Sequence, residues 1–359
     1  MKNHIVSTGT ANPGKAIPQD TIKNFMKIAH GLDGGEVRKL NFIYRHSGIQ
    51  SRHSVLEDFN YDDPSKFSFF PKNTDLNPFP GTKHRMKVFQ QTAPSLAISA
   101  IESCLASSPY DAEEITHLIL VSCTGMYAPG VELEIIEKLG LKDTVERYCI
   151  HFMGCYAAFT AIKMADRFCD SDPDAKILIV SVELCTIHFQ KEYNEDNLLA
   201  NALFGDGAAA ALISSEPMGI KIKSYQSNLV REGEGDMAWH IGDFGFEMKL
   251  SKYIPGLLEK GIEALKEKLQ EKFNLSNIQN FAIHPGGKLI LKKVEESFGI
   301  QPEQNQHAHD VLEKCGNMSS ATILFVLDSI LNKSGNQGDT LAMGFGPGLT
   351  LETLLLEKL

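Results

Sequence analysis

Cys155 stands where the chain changes character. In HFMGCYAAFTAIKMADRF (151–168) a strand-like run gives way to a helical one at the cysteine, between Gly154 and Tyr156. A sulfur at a helix start lies near free backbone N–H groups and the positive end of the helix dipole. That setting favours thiolate and can bring a thiol pKa from about 8.5 into the range of roughly 3.5–7.5. Gly154 would let the backbone come close to whatever the sulfur attacks. His284 ends the apolar run NFAI just ahead of PGG, so a turn holds its imidazole at a strand tip. Asn317 opens a helix from a glycine-containing loop. Each has an ordinary structural reading: a small buried hydrophobe, a core histidine, a helix cap. Taken together, the three fall at element ends, where fixed backbone presents a side chain to a cleft. The chemistry they suggest is that of a nucleophilic thiol with two polar companions.

Other chemistry-bearing residues point to less. His307 and His309 form a His-x-His pair, but no cysteine or carboxylate cluster surrounds it at ligand spacing, so no metal site is expected. The seven cysteines contain no CxxC pair, and an odd count without an export signal argues against a disulfide framework. GFGPG, at 344–348, lacks the strand-to-helix setting that a phosphate-cradling loop needs.

The elements that must position Cys155, His284 and Asn317 follow from the apolar pattern. ITHLILVSCTG (115–125) and AKILIVSVEL (175–184) are continuous apolar runs, which suit strands covered on both faces by helices. SLAISAIESCLAS (95–107) and IPGLLEKGIEALKEKLQEKF (254–273) have helical spacing, the second with a charged outer face. The span 278–299 reads as strand, tight turn and helix, while DTLAMGFGPGLTLETLLLEKL (339–359) reads as two strands joined by a glycine-proline turn. Ser319 or Ser320 is expected to cap the helix after Asn317. The pattern predicts an α/β fold of two related halves, 1–214 carrying the cysteine and 215–359 carrying the histidine and asparagine. Residues 51–92 are polar, aromatic and proline-containing, and read as an inserted region covering something.

Composition narrows the partners. The chain is 43% hydrophobic and 22% charged, a globular balance, and its net charge is -10. A broad footprint for nucleic acid or anionic lipid is therefore not expected, and an anionic ligand would need a local basic pocket. No apolar run approaches a membrane span and the opening residues lack the apolar stretch of a secretory leader, so a cytoplasmic location is expected.

The segments MGCYAAF, ALFGDGAAA, IHPGGKLIL, CGNMSSATILFVL and GFGPGLTLETLLL closely resemble, in order, the signature segments of type III polyketide synthases, the chalcone synthase-like enzymes. GFGPGLTLET together with GNMSS is the most specific part, and the similarity weakens over residues 1–110. The resemblance implies a thiolase-type fold, two pseudo-duplicated halves in a layered αβαβα arrangement, and a homodimer. It implies coenzyme A thioesters as substrates and no other cofactor. Cys155 matches the acyl-carrying nucleophile, with His284 and Asn317 as its partners. Both partners can donate to a thioester oxygen and so stabilise the enolate left when malonyl thioester loses carbon dioxide, and a His284 imidazolium would also hold the resting thiolate. Phe204 matches an aromatic gate. A second gating phenylalanine is expected where Met248 stands, with Phe244 and Phe246 close by.

Thr124, Ala128 and Cys185 fall at cavity positions similar to those of microbial alkylpyrone and alkylresorcinol synthases, where small side chains make room for a fatty chain. Methylene burial contributes about 0.8 kcal/mol per group, which favours a medium- or long-chain acyl starter and an alkylpyrone- or resorcinol-type product. The Ala128–Pro129 bond is a candidate for the cis form by the same resemblance. Lys39, Arg45, Arg52 and Lys288 are candidates for the coenzyme A phosphates. The alternatives are a β-ketoacyl-carrier-protein synthase III-like enzyme making a single condensation, a papain-like cysteine hydrolase, and a non-catalytic acyl-binding paralogue. GFGPGLT and Phe204 disfavour the first. The depth of Cys155 in the chain disfavours the second, and an intact Cys-His-Asn set the third.

Overall fold

Long apolar runs can be buried on both faces only if helices cover both, and the chain is built that way. A computed structural model describes residues 3–250, 254–272, 275–333, 335 and 337–358. Its strands are β1 (His4–Ala11), β2 (His117–Ser122), β3 (Glu146–His151), β4 (Ile177–Leu184), β5 (Asp206–Ser214) and β6 (Ile220–Leu229). They continue with β7 (Met237–Gly242), β8 (Gly245–Leu250), β9 (Ile278–Ile283), β10 (Gly338–Gly346) and β11 (Thr350–Lys358). The helices are α1 (Gln19–Ala29), α2 (Gly34–His46), α3 (Thr82–Ala106), α4 (Val131–Leu139) and α5 (Ala157–Ser171). After these come α6 (Glu195–Leu203), α7 (Ile254–Lys272), α8 (Lys288–Phe298), α9 (Gln306–Cys315) and α10 (Thr322–Asn332).

Among the described residues, nine strands form one sheet in the order β9-β10-β11-β6-β1-β5-β4-β2-β3. The two halves meet at β1 and β6, which pair through only His4–Lys221 and Ile5–Ile220. Outward from that seam the ladder types repeat. β5 and then β4 add antiparallel and β2 parallel on one side. On the other, β11 and then β10 add antiparallel and β9 parallel. The order of ladder types is thus the same on both sides of the seam, antiparallel, antiparallel, then parallel.

Both sheet faces are packed. In β5, Ala209, Ala211 and Ile213 join one core cluster, while Ala208, Ala210 and Leu212 join the other. Alternation of that kind requires cover on both sides, and small alanines let the covering helices come close. At Gly9 of β1 an added Cβ would lie 2.2 Å from the backbone nitrogen of Cys104 in α3, so only glycine permits that approach. Helices α5 and α10 lie on the first face, each following a segment that carries a candidate catalytic residue. The side chains Ile323, Leu324, Val326, Leu327 and Ile330 of α10 are wholly buried, each worth about 1.5–3 kcal/mol of apolar transfer. Among the described residues no helix is long and apolar enough to cross a membrane.

Candidate active site

Cys155 is set by a sharp turn rather than directly by a helix. After β3, Phe152 takes φ +59° and Gly154 φ +78°, and a single 3-10 turn, Gly154–Tyr156, precedes α5. A Cβ on Gly154 would lie 2.1 Å from Cδ of Pro347, in the turn between β10 and β11. The glycine is therefore required by a closing proline, not by room for a substrate as the sequence suggests. The Gly154 N–H is also taken, donating to the sulfur of Cys123 at 3.0 Å.

That partner and burial change the electrostatics expected from a helix start. Desolvation pushes the Cys155 thiol up to about 12, opposed by hydrogen bonds from the side chains of Ser319 and Asn317 and reinforced by the Glu183 carboxylate. The expectation of a thiol made acidic by the helix alone is thus corrected.

His284 follows β9, with its backbone N–H on the Met343 carbonyl at 2.7 Å. Its ring is buried, and neither Nδ1 nor Nε2 has a hydrogen-bond partner. Burial lowers its pKa to about 3, so the ring is neutral and the expected resting imidazolium is not favoured. Asn317 follows Gly316, whose φ is +69°. Its backbone pairs with Leu203 and Gly205, so it lies beside Phe204. Its Nδ2 donates to the Gly286 carbonyl at 3.3 Å, and its Oδ1 accepts the Ser319 N–H at 2.8 Å. Ser319 and Ser320 do not cap α10. Ser319 turns to Cys155, and the Ser320 hydroxyl donates to Glu183.

Cys155, His284 and Asn317 line one cleft, together with Phe204, Met248, Thr124 and Cys185. Its volume is about 1140 Å³ including the space at its mouth. Residues 246, 248 and 250 of β8 share one face of the strand, so the cleft holds both Phe246 and Met248, whereas Phe244 sits exposed in the β7–β8 turn. One wall is aromatic. His188 and Phe246 stack at 4.2 Å between centroids, with Trp239 edge-on to both. Trp239 Nε1–H donates to the Cys123 carbonyl at 2.7 Å. His188 donates from Nε2 to the Thr124 carbonyl at 2.7 Å and accepts the Phe246 N–H at Nδ1 at 2.9 Å. Its tautomer is therefore fixed, and burial lowers its pKa to about 3. Glu183 lies behind this wall with its carboxylate spent on Cys123 N–H, Thr124 Oγ1 and Ser320 Oγ. Desolvation holds its carboxyl above the usual range.

Sequence reasoning missed Glu183, His188 and Trp239. The signals were a carboxylate inside an apolar run, a histidine three residues past Cys185, and the chain's single tryptophan.

Not every expected cavity or phosphate residue is where it was assigned. Ala128, whose bond to Pro129 is cis, lines a separate cleft with Phe89, Met126 and Cys149. Ala128 is not among the residues that line the cleft around Cys155. Arg52 is 2% exposed, its Nε on Gln19 Oε1 at 2.9 Å and its Nη1 on the Phe204 carbonyl. It braces α1 against the segment carrying Phe204, and its Nη2, buried without a partner, belongs to a residue lining the Cys155 cleft. Lys39, Arg45 and Lys288 are exposed, and Lys39 pairs with Glu195 at 3.0 Å. His307 and His309 bond to Ser329 and Glu295. Among the described residues no group of three or more His, Cys, Asp or Glu side chains could hold a metal ion.

Comparison with known proteins gives a consistent result. Residues 2–217 match the family described as chalcone and stilbene synthases, N-terminal domain, and residues 221–359 match its C-terminal domain. A curated relative, probable polyketide synthase 1 of Dictyostelium discoideum, is 30% identical over 99% of this chain. The chain spans only 11% of that relative's length. Among solved structures, the C-terminal type III polyketide synthase domain of Steely1, a type I/III hybrid from Dictyostelium, superposes with a TM-score of 0.90 at 28% identity, covering 99% of both chains. PKS-I from the brown alga Ectocarpus siliculosus superposes with a TM-score of 0.92 at 27% identity, covering 99% of this chain and 98% of that one.

Proposed function

The chain belongs to the chalcone and stilbene synthase family, the type III polyketide synthases with their thiolase-like fold, and from that membership we propose a decarboxylative condensing enzyme. The family's chemistry runs on coenzyme A thioesters and needs no added cofactor. In the proposed cycle the Cys155 sulfur attacks an acyl-CoA carbonyl, its proton passes to neutral His284, and coenzyme A leaves with that proton. Malonyl-CoA then loses carbon dioxide, and the resulting enolate oxygen is held by N–H donors of His284 and Asn317. One such donor is typically worth about 10²–10³ in rate. The enolate carbon attacks the Cys155 thioester and the sulfur departs, to be reloaded by the extended chain.

The observation that carries this reading is the setting of His284. Both its ring nitrogens are buried without partners in a cleft shared with Cys155 and Asn317. An orphaned buried polar group costs about 1–3 kcal/mol, and a substrate oxygen would satisfy it.

The starter we propose is a medium- or long-chain fatty acyl group, released after extension as an alkylpyrone or resorcinol. Thr124 and Cys185 belong to the cavity wall in this reading, Phe204 and Met248 to the gate. Lys39, Arg45 and Lys288 are assigned to the coenzyme A phosphates. A homodimer, a cytoplasmic location and a division into halves at 214/215 complete the proposal.

Intact-mass measurement after incubation with acyl-CoA alone, then product analysis with malonyl-CoA added, tests it. The expected result is one acyl adduct on wild-type protein, none on Cys155→Ala, and pyrone-type products when malonyl-CoA is present. An adduct without extension would point to an acyl-holding paralogue, and extension only from carrier-protein malonyl to a single-condensation synthase.

A further inference from the structure

Among the described residues lining the Cys155 cleft, Arg52 alone is a lysine or arginine, and it is 2% exposed. Its stem runs beneath the loop that leads into Asn317. A Cβ on Gly316 would lie 2.8 Å from Arg52 Cδ, and one on Gly205 would lie 3.5 Å from Arg52 Cβ. The guanidinium is planar, and two of its three nitrogens are fixed, Nε on Gln19 Oε1 at 2.9 Å and Nη1 on the Phe204 carbonyl. Those bonds set the plane and with it the direction of Nη2.

Nη2 is buried and has no partner. The Tyr44 hydroxyl stands close to the guanidinium, but it donates to the Asn201 carbonyl at 3.2 Å and is not bonded to Nη2. Buried donors nearly always find an acceptor, and a charged donor left bare costs more than a neutral one. A fixed orphan of this kind on a cleft residue marks the place of a ligand oxygen.

The charges nearby decide which class of oxygen. Asp206 lies within electrostatic reach of Arg52, with its own acceptors spent on the Val55 N–H, the Thr186 N–H and Thr186 Oγ1 at 2.6–2.8 Å. Desolvation pushes its carboxyl up to about 6, so at neutral pH it still carries the charge that balances the guanidinium. A second carboxylate or a phosphate would bury a negative charge that nothing offsets. A neutral carbonyl oxygen supplies the missing acceptor and adds no charge.

We propose that Arg52 Nη2 donates to a keto oxygen of the extended poly-β-keto chain while that chain is still held on Cys155. The inference rests on the condensing reading above and adds a specificity-determining residue to it. Each malonyl extension adds one keto oxygen every second carbon, so the growing chain brings the acceptor that the empty cleft lacks. The contact keeps the chain drawn out. An unheld chain is free to fold back and close early to a short lactone.

The test loads the protein with a 3-oxoacyl-CoA or a 5-oxoacyl-CoA carrying ¹³C at the keto carbon. Each passes its acyl group to the Cys155 sulfur and leaves as free coenzyme A, which is removed before measurement. Isotope-edited infrared spectra then read the keto band, with intact mass reporting the adduct. In wild type one of the two bands should lie below that of the same thioester in an aprotic solvent. The displacement should vanish in Arg52→Met and shrink in Arg52→Lys, which keeps the charge and loses the planar fork. With malonyl-CoA added, the share of the shortest lactone should rise about ten-fold in both variants. Wild-type bands at the aprotic position for both labels overturn the contact without any variant, and so does a displacement that persists in both variants. A raised KM for acyl-CoA with unmoved bands also overturns it, assigning Nη2 to a carbonyl of the pantetheine arm instead. No adduct on wild type from these or from simple acyl-CoA removes the loading step of the condensing reading, and this inference with it.

Discussion

A buried thiol and a buried neutral imidazole line one cleft, and the proposed function makes them a proton-transfer pair. Desolvation raises Cys155 to about 12 and lowers His284 to about 3, so neither ionises well alone. In the proposed cycle His284 takes the proton when the sulfur attacks; among the described residues lining the cleft, it is the one whose buried acceptor nitrogen has no partner. Replacing His284 with Gln should therefore slow alkylation of Cys155 by iodoacetamide at neutral pH by at least about ten-fold. The residual rate should keep climbing with pH, as an isolated buried thiol does. An unchanged rate in that variant would show that the imidazole is not the acceptor. The identities of Cys155, His284 and Asn317 were legible because each ends an element in a recognisable segment. Their charge states were not, because desolvation depends on what packs around them, and the sequence does not reveal that Cys123 takes the Gly154 N–H. The burial of Arg52 was hidden for the same reason: a cation in a basic stretch reads as exposed until its acceptors, Gln19 and the Phe204 carbonyl, are seen.

At the scale of elements, the turn carrying Cys155 is locked against the turn between β10 and β11. Gly154 to Ala should destabilise the protein by about 2–3 kcal/mol, through a left-handed φ and a methyl driven into Pro347. Adding Pro347→Gly should recover part of the loss, the share due to the collision, while the φ strain stays. Urea unfolding of the single and double variants measures both, and full stability of Gly154→Ala would remove the contact as the reason for the glycine. Strands and helices with long apolar runs, such as β4 and α10, were readable from pattern alone. The 51–92 region was not, because its order comes from Phe59, Phe67 and Phe70 meeting Phe25 and Phe189 across distant parts of the chain. Likewise the wall formed by His188, Phe246 and Trp239 joins two segments whose pairing no local periodicity encodes.

Across the whole molecule, buried histidines couple folding to pH. His188 titrates near 3 when folded and near 6.5 when unfolded, so the unfolded chain binds the extra proton between those values. Its contribution to stability is complete above 6.5 and is lost as pH falls below it. At pH 5.5 the loss is about 1 kcal/mol. His188→Phe keeps a ring against Phe246 and should lose about 1 kcal/mol less than wild type between pH 7.5 and 5.5, as urea titrations at both values would show; equal losses would mean that His188 titrates normally. Strand β1 carries a different consequence. It occupies the middle of the sheet, yet both its neighbours, β5 and β6, come from residues beyond 205. At ordinary ribosomal speed, roughly ten to forty seconds pass between its synthesis and theirs. During that wait HIVSTGTA is an unpaired edge in search of hydrogen bonds, which makes the nascent chain a natural client for chaperones and ties the yield of active protein to how well that strand is shielded until its partners emerge.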